Sequence, residues 1–170
     1  MDDVEVVFFD LGKVLIHFDI QNFWKTLNLQ GEKFPLPSKE EVFTLDHSYE
    51  LGEIQTNEFL DGLSAMTGGR YSHDMLAGAF NSIFLDPVAG MEDLVTRAAK
   101  NYRIGLVSNT CKLHYEFCKT RVTVLDLFPK QYLSYEMKTM KPDHRYYDAV
   151  LADQQCAAGS IVFIDDLKKT

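Results

Sequence analysis

Cysteine, proline and tryptophan are scarce, with 3 Cys, 5 Pro and 1 Trp in 170 residues. The cysteines, Cys111, Cys118 and Cys156, are odd in number and lack metal-site spacing. This argues against a disulfide scaffold or a zinc module and for reduced, structural thiols. No apolar run approaches the ~20 residues needed to cross a bilayer, and Met1-Asp2-Asp3 is acidic where a signal peptide is basic. A cytoplasmic protein with no membrane partner is therefore expected. Positive charge is also short, 17 Lys+Arg against 25 Asp+Glu for a net charge of −8. That balance disfavours nucleic acid as a partner while leaving room for a local positive pocket. Internal repeats and low-complexity segments are absent.

The remaining composition, 46% hydrophobic and 25% charged, is that of an ordinary globular domain with enough chain to bury a core. The organising stretch is V-V-F-F-D-L-G-K-V-L, Val6 to Leu15. Val4 to Phe9 is β-branched and aromatic, as in a central strand covered on both faces. Asp10 ends it, in the crevice outside the carboxyl end of a parallel sheet where open α/β folds bind ligands. Gly12 then lets the backbone turn tightly and bring a carbonyl close to whatever Asp10 holds. Lys13 to Asp19 reads as a short hairpin or flap over Asp10.

The spacing of Ile20, Phe23, Trp24 and Leu27 predicts a helix that stops at Gly31. A loop with Pro35 and Pro37 follows, and Ser38 with Glu41 makes a capping box for the next helix. Two more helices are expected, from Thr56 to Gly68-Gly69 and from Ser72 through Ile83. Leu85-Asp86-Pro87 reads as a break. The pattern then alternates: a helix over Met91 to Asn101, a strand from Tyr102 to Val107, and a long helical segment through Leu113, Phe117 and Leu125. A strand over Gln131 to Ser134, a loop from Tyr135 to Lys141, a helix behind Pro142, and a strand from Ser160 to Ile164 complete it. Such alternation predicts a parallel α/β sheet with right-handed crossovers. The helical block after strand one is an insertion.

Strand and loop ends thus offer Asp10 and Gly12, Ser108 with Asn109, Lys141, and Asp165 with Asp166 to one crevice. Carboxylates plus a backbone carbonyl suit a hard cation such as Mg2+. The Ser108 hydroxyl, the amides opening the next helix and the Lys141 ammonium suit a phosphate. With those charges neutralised, Asp10 is free to attack phosphorus in line and form an aspartyl phosphate that water hydrolyses. Each piece alone has a plainer reading: a helix cap at Ser108-Asn109-Thr110, a solvated loop lysine, a turn at Asp165-Asp166. The signal is the set in this order.

F-F-D-L-G-K-V-L, V-S-N-T, M-K-P-D and F-I-D-D, in that order, resemble motifs one to four of the haloacid dehalogenase-like hydrolases, and the insertion resembles their type-one helical cap. The resemblance implies a Rossmann-like α/β core over 1–17 and 87–170 with a cap over 18–86. It also implies a Mg2+-dependent phosphatase for a small phosphorylated metabolite. By matching motif, Asp10 is nucleophile and metal ligand, and Gly12 supplies a carbonyl ligand. Ser108 and Asn109 bind phosphate, Lys141 stabilises charge, and Asp165 and Asp166 hold the metal.

Two departures from the family pattern stand out. Most phosphatases of the family carry an aspartate two residues after the nucleophile as general acid and base, and here that residue is Gly12. The D-L-G variant resembles a subgroup that includes phosphatases of α-D-glucose 1-phosphate, whose anomeric leaving group depends less on an acid. His17, His47 and Glu50 are alternative proton donors, and Trp24, Phe43, His47 and Tyr49 are candidates to line a substrate pocket. Relatives also usually continue past motif four, so a truncated chain or a partner covering the last strand is expected. A catalytically inactive ligand-binding module and a dehalogenase are the competing readings. Dehalogenation needs no metal, which makes it the weaker one.

Overall fold

The structure, a computed structural model, describes residues 4–28 and 37–166. Its centre is β1 (Val6–Phe9), four residues all buried. It is flanked by β4 (Arg103–Ser108) and β6 (Ile161–Ile164), with β5 (Lys130–Leu133) outside β4. The sheet order is β5-β4-β1-β6 and every pairing is parallel. Alternation along β1 divides the core. Val7 and Phe9 pack with Ile104, Leu106, Val95 and Leu125 on one face, and Val6 and Phe8 pack with Val107, Tyr146 and Val150 on the other.

The first face is covered by α5 (Met91–Asn101), α6 (Lys112–Lys119) and a 3-10 turn (Thr123–Leu127), the second by α8 (His144–Ala152). On β6, Val162 and Phe163 are exposed. The described β6 lies at one edge of the sheet.

Between β1 and the rest of this core the described residues form four helices: α1 (Gln21–Asn28), α2 (Lys39–Glu50), α3 (Thr56–Met66) and α4 (His73–Asn81). They bury a hydrophobic cluster of their own around Phe23, Phe59, Leu63, Leu76 and Phe80. The expected capping box forms: the Glu41 amide donates to Ser38 Oγ at 3.1 Å and the Ser38 amide to Glu41 Oε2 at 3.0 Å. Gly68 and Gly69, at φ +66° and +71°, end α3 in the left-handed region where a side chain would strain. The stop at Gly31 and the loop around Pro35 lie outside the described residues.

Three expectations change. Leu85-Asp86-Pro87 is not a break but most of β3 (Phe84–Pro87), antiparallel to β2 (Ile16–Phe18). The flap after Asp10 turns back on itself locally, the Lys13 amide donating to the Ile16 carbonyl at 2.7 Å, and its β2 then pairs with this distant segment, where Pro87 is tolerated at the strand's end. The segment 112–127 divides into α6 and the 3-10 turn, because Val122-Thr123-Val124 is β-branched and stiff in a helix. The loop 135–141 begins with a short helix, α7 (Ser134–Met137).

Candidate active site

Asp10 follows β1 directly, and its amide donates to the Ile164 carbonyl at 2.9 Å. That bond continues the parallel β1–β6 ladder and brings the end of β6, and with it Asp165 and Asp166, beside Asp10. Carboxylate oxygens of the three aspartates lie within 4.8 Å of one another. Lys141, on the loop before α8, projects its ammonium among them, with Nζ 3.0 Å from Asp10 Oδ2 and 2.7 Å from Asp165 Oδ2. The Leu11 amide donates to Asp10 Oδ1 at 2.7 Å and fixes the carboxylate's orientation.

Burial pushes the Asp10 carboxyl above the usual carboxylate range, and the Lys141 ammonium pulls partly against it. Burial lowers Lys141 in turn, but the Asp10 and Asp165 carboxylates outweigh it and leave the lysine raised. Lys141 is therefore a cation at neutral pH. The three carboxylates are met by two ammoniums, Lys141 at Asp10 and Asp165 and the more exposed Lys13 at Asp166, and retain excess negative charge on hard oxygen donors. That donor set fits a divalent cation such as Mg2+, which Asp10, Asp165 and Asp166 could hold between them.

Ser108 ends β4 and is buried. Asn109 next to it uses both ends of its amide on Lys141: Nδ2 donates to the Lys141 carbonyl and Oδ1 accepts from the Lys141 amide, each at 2.8 Å. Its side chain is thus committed to holding the lysine's backbone. Gly12 has a steric reason as well. A Cβ there would lie 2.8 Å from Phe18 Cε1, so the Phe18 ring fills the space a side chain at this position would need.

Four residues of this neighbourhood escaped the sequence reading. Phe18 is one. Lys13, at φ +56°, pairs with Asp166 at 3.4 Å and lies 5.1 Å from the Phe18 ring centre. Ser134, fully buried, and Thr110 are the others: Ser134 Oγ accepts from the Thr110 amide at 2.9 Å and lies 2.7 Å from the Glu50 carbonyl, tying the loop after β4 to the end of α2. No local pattern marks a serine at a strand end as such a tie.

The alternative proton donors separate by environment. His17 and His47 are exposed, and His47 stacks on Phe43 with ring centres 6.2 Å apart. The Glu50 carboxyl is pushed up to about 8 by burial and by the nearby charge of Asp46. Among the pocket candidates, Tyr49 is core, stacked on Phe59 at 4.5 Å, while Trp24 and Phe43 line a cavity of about 480 Å3.

The sequence profile described as haloacid dehalogenase-like hydrolase matches residues 37–169. A curated relative, D-ribitol-5-phosphate phosphatase of Bacteroides thetaiotaomicron, is 24% identical, the alignment covering 96% of this chain and 83% of the relative. The crystal structure of a HAD family enzyme from the same organism superposes with a TM-score of 0.88 at 31% identity, covering 98% of this chain and 86% of the other. The wild-type form of that enzyme in complex with magnesium and inorganic phosphate superposes at 0.82 with 34% identity, covering 97% and 86%. A structure of L-2-haloacid dehalogenase from Xanthobacter autotrophicus, at 16% identity and a TM-score of 0.60 over 94% of this chain and 69% of the other, shares the fold.

Proposed function

The chain belongs to the haloacid dehalogenase-like hydrolases, and from that premise we propose that it is a Mg2+-dependent phosphatase of a small polyol or sugar phosphate, working in the cytoplasm. The observation that carries the reading is the convergence of Asp10, Asp165, Asp166 and Lys141 at the carboxyl ends of parallel strands, with Lys141 Nζ 3.0 and 2.7 Å from two of the carboxylates. The magnesium and phosphate complex of the similar enzyme and the phosphatase activity named for the curated relative support it. In this reading residues 1–17 and 87–170 are the catalytic core and 18–86 the cap.

Asp10 attacks phosphorus and forms the aspartyl phosphate, its carboxylate orientation held by the Leu11 amide. The Ser108 hydroxyl and the amides following it bind the phosphoryl oxygens. Asn109 acts on them through Lys141, whose ammonium it positions to meet the charge that develops there. Asp10, Asp165, Asp166 and the Gly12 carbonyl would hold Mg2+, which supplies charge neutralisation at the phosphoryl group. Position 12, where the family carries its general acid, is a glycine with the Phe18 ring against it, so leaving-group protonation falls to a group from the cap side or to water. D-Ribitol 5-phosphate is an ester of an ordinary primary alcohol, which leans on such a proton more than an anomeric ester does.

The test is inorganic phosphate release from a panel that includes D-ribitol 5-phosphate and α-D-glucose 1-phosphate, with and without Mg2+, in wild type and Asp10→Asn. Metal-dependent release lost in the variant is expected. A folded wild-type chain that binds Mg2+ and releases no phosphate from any ester refutes the phosphatase and leaves the binding module.

A further inference from the structure

The chemistry above leaves unused the cavity of about 480 Å3 walled by α1, α2, α4 and the start of α6. Ile20, Trp24, Phe43, Ile83 and His114 give it a largely apolar wall, and Lys39 and Glu40 stand exposed where they line it. Asp46 also lines it. Among the described residues, Asp46 Oδ1 is buried and meets no hydrogen-bond donor. Leaving a buried acceptor unmatched costs about 1–3 kcal/mol, and a leucine on this helix would remove that cost. A buried carboxyl with one unmatched oxygen, beside the Glu50 carboxyl of the next turn and at the wall of an apolar concavity, is what orients a small ligand.

The cavity is also well placed. The Asp19 amide donates to the Ile83 carbonyl at 2.8 Å, joining the two connections between cap and core. Ile20 and Ile83 therefore adjoin β2 and β3, whose Phe18 lies over Gly12. His114 belongs to α6, the helix directly behind Ser108-Asn109-Thr110. The cavity is thus bordered by the two segments that carry the nucleophile turn and the phosphate loop. Its histidine is not a competing polar contact: burial pushes His114 down to about 3, and its ring stacks on Phe80 at 3.8 Å with Nε2 3.2 Å from the Phe80 carbonyl.

We infer that Asp46 is a specificity residue that hydrogen-bonds a hydroxyl on the non-phosphate part of a polyol phosphate seated in this cavity against Trp24. The inference rests on the phosphatase reading for its ligand class and goes beyond it in naming the contact. Burial pushes the Asp46 carboxyl up, as it does the neighbouring Glu50, and the protonated carboxyl both donates and accepts, as a hydroxyl partner requires. Among the described residues lining the cavity, Lys39 is the one cation that could match a second phosphate, and it is exposed.

Trp24 is the only tryptophan in the chain, so its fluorescence reports the cavity alone. The experiment titrates the full chain in EDTA with D-ribitol 5-phosphate, n-pentyl phosphate and inorganic phosphate, for wild type, Asp46→Ala and Asp46→Asn. It then measures kcat/KM for the two esters with Mg2+. Asp46→Ala is expected to weaken ribitol phosphate about 10-fold, the worth of one hydrogen bond, and pentyl phosphate less than about 2-fold. Asp46→Asn, nearly isosteric and still able to donate and accept, is expected to lose less, and it carries the comparison where the alanine variant does not fold. Equal losses for both esters, no loss for either, or a Trp24 signal blind to ribitol phosphate would overturn the inference. Phosphate release from both esters with an Asp46→Ala variant indifferent to hydroxyls sinks this assignment and keeps the phosphatase. An Asp46-dependent Trp24 response without phosphate release does the reverse.

Discussion

Asn109→Ala is the most direct probe of how the fold holds its cation. In the structure the Asn109 amide satisfies both the amide and the carbonyl of Lys141, each at 2.8 Å, and Lys141 is buried. Alanine removes both bonds and strands two backbone groups, each worth about 1–3 kcal/mol when left unmatched in a buried place. With partial entry of water the expected loss is about 2–4 kcal/mol. For a chain of this size that is a fall in melting temperature of roughly 5–15 °C. Catalysis is expected to suffer separately, because Lys141 Nζ must stay within reach of both carboxylates and a displacement of about 1 Å costs on the order of 100-fold.

The assays are urea unfolding and phosphate release on the same preparations, the latter resolved into kcat and KM. A residue that positions Lys141 lowers kcat and leaves KM nearly unchanged. One whose side chain binds the phosphate raises KM. Asn109→Asp adds a second reading: it keeps an acceptor for the Lys141 amide but turns a carboxylate oxygen towards the Lys141 carbonyl, so it should fall between wild type and alanine in stability. An alanine variant within about 0.5 kcal/mol of wild type at full turnover refutes the argument, since that is the scatter of neutral surface changes.

Two further outcomes are expected. Asp46 and Glu50 have folded-state pKa values raised to about 7 and about 8, above their ordinary 3.8 and 4.5, so the folded chain keeps protons that the unfolded chain gives up. Their contribution to stability is full below about pH 4 and is lost as pH rises towards 8. Asp46→Asn should flatten that decline by about 1–3 kcal/mol, and urea midpoints at pH 5, 6.5 and 8 that run parallel in both proteins would contradict it. Gly105 on β4 lies under the Phe8 ring and against the Lys130 carbonyl. Gly105→Ala should therefore cost about 1–3 kcal/mol by overpacking, and an unchanged unfolding midpoint would show that Phe8 moves freely.

Short-range sequence determined a good deal of this protein. The apolar run before Asp10, the Ser38/Glu41 box and the glycines after α3 each act within a few residues, where propensity and hydrogen bonding decide, and all are found in the structure. The order of the four motifs pointed to the crevice because a parallel sheet with crossovers delivers every strand's carboxyl end to one side. Tertiary structure decided what depends on partners far along the chain. β3 exists because β2 pairs with it across the whole helical block, the Phe18 ring stands where a Cβ at position 12 would go, and Ser134 joins the loop after β4 to α2. Asn109 could be read from its motif as a polar group near phosphate, but only the approach of Lys141 from a loop more than thirty residues later turns its amide into a brace. Asp46 reads as an ordinary polar residue on a helix; the enclosure of its carboxyl by α1, α4 and α6, which sets its burial and charge state, arises only when those helices pack.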